Sequence, residues 1–380
     1  MRLILLLGLA GFASAFSLRT SDPMLTLIGA DLGVSLREAA LLASAYTLPY
    51  ALMQVVLGPV GDALGKSRLV RLALAVAAVG LALSAVAPSY ETVMAARVLA
   101  GAFAGGIIPT SMALIGDRVP YGVRQIAISR FLLAVILGQV CGSAAAGVLA
   151  EPLGWRAVFA LSAGLTALIC AATAFGLRGE REPRTPLSFA DARSRYASVL
   201  ANPVSLLVFA TVAAEGLLIF GVFPFVAPML AARGLGGAFE AGLILVAFAV
   251  GGVFYSLTVR RLLALLSQWR MMQAGGLLCG LCYLVVALPV PWLLVALVFL
   301  VAGFGFYMLH NTMQTQATEL APTARGSAVA LFAAAFFLGQ GLGPVLYGPF
   351  VVEAGFAPLF LGVGLLVAGL GFASVKLIRR

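Results

Sequence analysis

Two carboxylates lie inside stretches of sequence that are otherwise apolar. Of the 14 acidic residues in the chain, Asp22 and Glu215 are the two that fall well within predicted membrane spans, residues 3–30 and 203–231. Placing a carboxylate inside a bilayer is costly, so such residues usually face a cavity and take part in substrate binding or ion coupling. Removal from water also favours the protonated form of a carboxyl group. We therefore predict that Asp22 is the main proton-carrying group, and that Glu215 is a second protonation site or the counter-charge for a cationic substrate.

Two arginines are the expected partners of Asp22. Arg19 precedes it by three residues, which places both side chains on the same face of a helix. Arg97, in the predicted span 91–116, lies at a similar depth if each helical residue rises about 1.5 Å. A carboxylate between two cations forms a pair that protonation or a competing substrate can open. The alternative is a static buried ion pair.

Further polar and aromatic side chains occur in the other predicted spans. The single histidine of the chain lies in a polar segment of the predicted span 291–317, and two glutamines occupy matching places in the two halves of the sequence. A purely structural, hydrogen-bonded role is the alternative for the histidine. We predict a substrate cavity lined by Gln139, Phe223, Tyr307, His310, Asn311, Gln314 and Gln340.

The composition indicates which solvent surrounds the chain. Its residues are 62% hydrophobic and 10% charged, with a mean hydropathy of +1.09, whereas soluble domains carry about 25% charged residues. Apolar stretches of about 20 residues can each span a bilayer as a helix. The sequence predicts an all-α membrane protein with twelve spans: 3–30, 39–59, 69–88, 91–116, 125–150, 155–177, 203–231, 239–259, 270–288, 291–317, 324–351 and 355–376.

Positive charge is distributed unevenly between the predicted loops. Of the 24 lysines and arginines, nineteen lie in the tails and loops on the side of the N-terminus, three lie on the other side, and two lie inside spans. Cytoplasmic loops carry such an excess, so both termini are predicted to be cytoplasmic, in a bacterial inner membrane. The net charge of +10 is therefore a sign of topology. We expect no nucleic-acid partner.

An internal repeat divides the chain. The longest polar interruption predicts an N-terminal bundle of six spans over 1–177, a cytoplasmic linker over 178–202 and a C-terminal bundle over 203–380. The sequence Leu137–Gly142 matches Leu338–Gly343, and other matches recur at nearly the same offset. Repeats of this kind enclose a substrate site between them near the middle of the bilayer. We expect a functional monomer.

One motif resembles a known family. The segment Gly58-Pro-Val-Gly-Asp-Ala-Leu-Gly-Lys-Ser-Arg68 is similar to the loop 2–3 signature of the major facilitator superfamily. Within that superfamily the chain looks most like the twelve-span drug:proton antiporters and the sugar and metabolite efflux group, because Ser21-Asp22-Pro23 is similar to the end of their first helix. Ala63 and Ser67 depart from the family pattern. The span 5 glycine motif also lacks its proline.

The same segment predicts a conformational latch. Asp62 and Lys66 are neighbours on one helical face if this loop is helical, and Asp62 can attract the arginine at the end of span 4. The resemblance implies that Asp62 also caps span 11. The alternative is a solvated loop with the usual positive charges. The predicted latch consists of Gly58, Asp62, Gly65, Lys66, Arg68 and Arg118.

These observations predict a secondary active transporter with the major facilitator fold. The expected activity is proton-coupled export of a small organic molecule by alternating access. The alternatives are uptake, symport or uniport of a metabolite or an organic anion bound by Arg19 and Arg97. An intramembrane enzyme is not expected, because the sequence contains no nucleophile elbow or His-Glu-x-x-His motif. The expected partners are substrate, protons and membrane lipid, with no cofactor and no metal.

Overall fold

A computed structural model describes residues 2–177, 188–321 and 324–378. Within these ranges the regular structure is helical, and twelve helices are long and apolar enough to cross a membrane. They confirm the twelve predicted spans, most of them extended by several residues. Numbered in chain order as spans 1 to 12, they are Arg2–Leu32, Leu36–Leu64, Lys66–Val86, Tyr90–Arg118, Gly122–Leu153, Trp155–Gly176, Ser205–Ala232, Ala238–Leu265, Gln268–Val286, Trp292–Glu319, Arg325–Ala354 and Phe356–Ile378.

Local sequence signals set several helix ends. Span 2 begins at a capping box, in which the Ser35 hydroxyl accepts from the Glu38 amide and the Glu38 carboxylate accepts from the Ser35 amide at 2.8 Å. Each of these bonds satisfies a backbone or side-chain group at a helix start. Gly65, with φ of 94°, separates span 2 from span 3. The predicted loop is therefore a single residue, and the motif around it is helical on both sides.

Spans 1 and 7 are interrupted at corresponding places. In span 1 the α-helix Arg2–Arg19 gives way to a 3₁₀ turn at Asp22–Met24. In span 7 the α-helix Ser205–Glu215 continues into a π-helical turn at Gly216–Phe220 and a 3₁₀ turn at Phe223–Phe225. Each 3₁₀ turn contains a proline, which removes a backbone donor. Irregular backbone at this depth is tolerated where protein covers it or it lines a cavity, and both carboxylates lie at these interruptions.

The spans form two bundles of six helices. One large hydrophobic cluster is built almost entirely from spans 1 to 6, around residues such as Tyr46 and Phe159. A second is built almost entirely from the linker helix and spans 7 to 12, around Phe220, Phe299 and Phe360. These clusters belong to the two pseudo-symmetric halves that the repeat predicted.

Close contact between the bundles is concentrated on the side of the membrane away from the termini. Span 5 meets span 8 through glycines, since a Cβ on Gly242 would lie 2.7 Å from the Gly147 Cα. At the end of the same helix pair, the Glu151 carboxylate accepts a hydrogen bond from the Ala238 amide at 3.0 Å. Span 2 meets span 11 where the Ser44 hydroxyl donates to the Gly341 carbonyl at 2.7 Å. Small residues allow such close approach, so this side of the molecule is closed.

The predicted linker contains a helix. Residues 178–187, including Arg178, Arg181 and Arg184, lie outside the described residues. The part that is described forms the helix Phe189–Leu200, here called the linker helix. The Ser188 hydroxyl caps it by accepting from the Asp191 amide at 3.1 Å. A polar interruption in the sequence therefore includes regular structure that packs against the membrane spans.

Candidate functional site

Arg19 joins the two bundles at the interruption in span 1. Its Nη1 donates to the Asp22 Oδ2 at 3.3 Å, and its Nη2 donates to the Gln340 Oε1 on span 11 at 3.3 Å. Arg19 and Asp22 are each 4% exposed. The structure thus brings together the predicted Arg19–Asp22 pair and adds a partner from the other bundle. A movement of one bundle against the other must change this contact.

Two phenylalanines of span 7 cover the same guanidinium. The Arg19 Cζ lies 4.7 Å from the ring centre of Phe220 and 5.3 Å from that of Phe223. Aromatic faces attract a cation at these distances, and more strongly where water is excluded. Phe223, predicted as a cavity residue, is therefore in the charged part of the site. Arg19 is held by one carboxylate, one amide and two rings.

Arg97 is sealed within the first bundle. It is fully buried, and its Cζ lies 4.2 Å from the ring centre of Tyr46 and 5.5 Å from that of Phe159. Its Nη2 donates to the Ser21 hydroxyl at 3.0 Å. The ion pair that the structure describes for Asp22 is with Arg19. Of the two expected partners of Asp22, Arg19 contacts it, whereas Arg97 contacts the neighbouring Ser21, so the carboxylate held between two arginines stays a prediction.

Glu215 has an ionisable partner that is distant in sequence. Its Oε2 lies 2.8 Å from the Nδ1 of His310 on span 10. The carboxyl group is fully buried, and its Oε1 has no hydrogen-bond partner among the described residues. Leaving a buried acceptor unsatisfied costs about 1–3 kcal/mol, and more for a charged group. A proton on this carboxyl group would remove its charge and leave the contact with the imidazole in place.

Sequence reasoning placed Glu215 and His310 separately and did not pair them. They are 95 residues apart, and helix periodicity predicts contacts only between residues a few positions apart. A usable signal was present, however. The chain has one histidine, and Glu215 is the one acid well within the spans of the second half. An isolated acid and an isolated histidine inside one bundle are each expensive to bury alone.

An aromatic cluster lies between the two buried pairs. The His310 ring is 4.9 Å from the rings of both Phe306 and Phe336, and Phe306 is 4.9 Å from Phe220. Phe220 in turn contacts Arg19. His310 is 14% exposed in its side chain, whereas Glu215 is not exposed. Of the two side chains, the imidazole is therefore the one that solvent can reach.

The remaining predicted cavity residues divide into two groups. Tyr307 packs against Tyr255 at 6.2 Å between ring centres, and Asn311 is hydrogen-bonded to the side chain of Tyr255. Gln139 is half-buried and Gln314 is exposed, and no described contact joins either of them to the cluster around Arg19 and His310. The structure thus places Gln340 in contact with Arg19, whereas a cavity role for Gln139, its repeat-related counterpart, stays a prediction.

The predicted latch forms an ion cluster at the break between spans 2 and 3. The Lys66 Nζ lies 2.9 Å from the Asp62 Oδ1 and 2.8 Å from the Asp117 Oδ2 at the end of span 4. Arg195 of the linker helix approaches the Asp62 Oδ2 at 3.9 Å. Lys66 therefore links this break to the end of span 4 through Asp117, and the attraction between Asp62 and Arg118 stays a prediction.

The other latch residues lie around the same break. Gly58 faces the Tyr196 hydroxyl, and the Arg68 amide donates to the Gly65 carbonyl at 3.1 Å. The Tyr196 hydroxyl also donates to the Val55 carbonyl at 2.9 Å, and burial raises the pKa of this phenol. Span 11 begins at Arg325, after Ala324, and the implied capping of this helix by Asp62 stays a prediction.

Twelve spans in two bundles, with buried pairs of ionisable side chains at interruptions in spans 1 and 7, define a polytopic membrane transporter. A family model described as the Major Facilitator Superfamily matches residues 7–344. The chain belongs to this superfamily.

Curated relatives are membrane transport proteins. The chain is 28% identical over 389 residues to the inner membrane transport protein YdhP of Escherichia coli, covering 96% of this chain and 94% of that protein. It is 34% identical over 136 residues to the multidrug efflux pump LfrA of Mycolicibacterium smegmatis, covering 36% of this chain and 27% of that protein. A crystal structure of the peptide transporter POT superposes with a TM-score of 0.81 at 16% identity, over 99% of this chain and 94% of that one. The last likeness shows the fold alone.

Proposed function

We propose that this transporter exports a small organic molecule in exchange for protons, with Glu215 and His310 as the coupling pair. The observation that carries the proposal is the Glu215 carboxyl group, which is fully buried, contacts His310 through one oxygen and has no described partner for the other. A group in this position gains more than an exposed one from taking up a proton, because its charge is removed from an apolar surrounding. The imidazole of His310 is partly exposed, so in this proposal it passes protons between the solvent and the carboxyl group of Glu215.

The Arg19–Asp22 pair is proposed as the part of the site that substrate opens. Arg19 reaches across to Gln340 on the other bundle, so its partners change when the bundles move. A substrate that competes for Arg19 or for Asp22 would weaken this link and favour the movement. Substrate and proton would then act on neighbouring pairs separated by Phe220 and Phe306.

Orientation and relatives support export as the direction of transport in this proposal. The positive-inside distribution supports a cytoplasmic position for both termini, in a bacterial inner membrane. The closed side then faces outward, and substrate reaches the site from the cytoplasm. A multidrug efflux pump is among the relatives, and the aromatic cluster offers a surface suited to apolar parts of a small organic molecule. The proposed functional unit is the monomer, with divisions at 1–177, 178–202 and 203–380.

Transport by the purified protein in liposomes tests the proposal. An imposed pH gradient should drive accumulation of a substrate from a panel of lipophilic cations, sugars and carboxylates, and collapsing the gradient should abolish that accumulation. Accumulation that is indifferent to pH would contradict proton coupling. Uptake of carboxylates alone, running with the proton gradient, would favour organic-anion symport instead.

A further inference from the structure

An open groove lies between the inner half of span 2 and the linker helix. Its volume is about 470 Å³, and its wall is largely apolar. Val55, Val56 and Pro59 form the side contributed by span 2, and Leu200 and Tyr196 lie on the linker helix. Arg193 also borders it. The groove is separate from the central site around Arg19 and Glu215.

The linker helix has one face fixed to the protein and one edge left free. Ala192 and Val199 are buried, and Tyr196 on the same side donates to the Val55 carbonyl. Leu200 remains 45% exposed next to the groove. The free edge therefore combines an apolar surface with the guanidinium of Arg193, which is exposed and has no partner among the described residues.

The position of the groove indicates its occupant. Pro59 and Val55 precede the end of span 2 at Leu64 by five and nine residues, which is roughly 8 and 14 Å at the rise of an α-helix. The predicted apolar span of this helix ends at residue 59, so the groove would begin near the membrane surface at Pro59 and reach into the hydrocarbon layer at Val55. An acyl chain fits its apolar wall, and Arg193, which has no partner among the described residues, can bind a phosphate group in a fixed geometry.

We propose that this groove binds one anionic phospholipid from the leaflet on the side of the termini. An acyl chain lies along Val55, Val56 and Leu200, and the phosphate contacts Arg193. Basic residues near the cytoplasmic surface attract anionic lipid in general. Here the apolar groove beside Arg193 would in addition hold the acyl chain, so that one lipid is bound at a defined position. A zwitterionic lipid such as phosphatidylcholine has the same phosphate, but its quaternary ammonium offsets the charge, so a lipid with net negative charge is attracted more strongly to the arginine.

Lipid in this site also bears on the conformation of the transporter. The linker helix is fastened to the first bundle through Tyr196 and to the second through Asn202, whose Nδ2 donates to the Leu320 carbonyl at 2.9 Å. When the bundles move, the distance between the Tyr196 and Asn202 contacts changes, and the width of the groove changes with it. A lipid that fits one width binds that state more tightly and shifts the population toward it.

Native mass spectrometry of the full chain, after exchange into phosphatidylglycerol or phosphatidylcholine, tests the site. We expect one phosphatidylglycerol to be retained in preference to phosphatidylcholine. Arg193→Gln should reduce that retention roughly tenfold, the effect of losing one charge-assisted contact. Arg270→Gln is the matched control, because Arg270 is exposed at the start of span 9 on the same side, and it should leave retention unchanged.

A second variant separates the groove from general surface charge. Val56→Trp fills the groove without changing the charge, and it should lower the retention of phosphatidylglycerol as well. Phosphatidylglycerol should also raise the melting temperature of the wild type and of Arg270→Gln, but not that of Arg193→Gln, because a ligand of the folded state stabilises it. Equal retention of both lipids by the wild type would show ordinary surrounding lipid only. Equal behaviour of the two arginine variants, or no effect of Val56→Trp, would overturn the site.

Discussion

The Nδ1 of His310 lies 2.8 Å from the Oε2 of Glu215, and this contact joins spans 7 and 10. The His310 ring also packs against Phe306 and Phe336. The other carboxyl oxygen is buried without a described partner. A second buried pair, Arg19 and Asp22, lies across Phe220 and Phe306 from the first. In the proposed mechanism, the substrate-binding pair and the proton-binding pair are therefore separated only by the rings of Phe220 and Phe306.

Replacing each carboxylate separately distinguishes the two candidate proton carriers. Glu215→Gln keeps the size of the side chain and fixes a neutral state, so accumulation driven by a pH gradient should fall to the level seen without a gradient. Binding and counterflow between compartments of equal pH should survive. Asp22→Asn should instead slow every mode of transport, while the residual transport still responds to pH. Accumulation in liposomes and equal-pH counterflow measure both.

The reverse pattern would reassign the roles. If Glu215→Gln still couples to the gradient and Asp22→Asn does not, the exchanged proton is on span 1. If both variants couple normally, neither carboxylate carries it.

The amide on span 11 offers a test of the link between the bundles. Gln340→Leu removes the acceptor of a hydrogen bond from a buried arginine, and such bonds to charged groups contribute about 1.5–3 kcal/mol. We expect a roughly tenfold to hundredfold loss of kcat/KM, measured as initial transport rates over a range of substrate concentrations. Gln139→Leu is the control, because the repeat places it in the corresponding position of the first bundle without a described contact to Arg19. Similar losses in both variants would argue against a special role of the Arg19–Gln340 contact.

The ion cluster at the end of span 2 predicts a different kind of defect. Asp62→Asn removes one carboxylate from Lys66 and from Arg195. Partly exposed ion pairs contribute about 0–1 kcal/mol to stability, so the melting temperature should change little. Transport should fall several-fold, because the balance between conformations is altered. Asp191→Asn on the exposed side of the linker helix should leave transport unchanged. An Asp62→Asn protein with wild-type transport rates would show that the cluster is no latch.

Closure of the side away from the termini depends on a contact between glycines. A Cβ on Gly242 would lie 2.7 Å from the Gly147 Cα and 2.9 Å from the Ser143 carbonyl oxygen, closer than atoms of real side chains approach. Gly242→Val should therefore hold spans 5 and 8 apart and reduce transport by at least tenfold, by roughly the effect of overpacking a tight interface. Gly164→Val is the control, because a Cβ there meets nothing within 4 Å. Transport rates report the outcome, together with thiol labelling of a cysteine introduced at Ser143 after the exposed Cys141 has been replaced by serine. Normal transport with no new labelling would contradict the proposed closure.

Two features of the site were within reach of the sequence. Arg19 and Asp22 are only three residues apart in the sequence, so their side chains can meet across the bend between the α-helix that ends at Arg19 and the 3₁₀ turn that begins at Asp22. Asp62 and Lys66 are likewise one helical turn apart, and their predicted contact forms at 2.9 Å. The contact of Lys66 with Asp117 at the end of span 4 was not predicted, and the predicted attraction between Asp62 and Arg118 stays a prediction. Neighbouring residues on a helix point in different directions, and the rotation of span 4 about its axis is set by packing.

The sequence by itself determined the membrane environment, the number of spans and the division into two related halves. Each of these depends on local hydropathy or on the repeat, because a bilayer requires every span to be apolar over about 20 residues wherever its neighbours lie. Tertiary structure alone decided that Glu215 meets His310, that Arg19 reaches Gln340 321 residues away, and that part of the polar linker forms a helix packed against span 2. Those contacts depend on the order and rotation of helices in the bundles, which are set by the packing of side chains far apart in the chain.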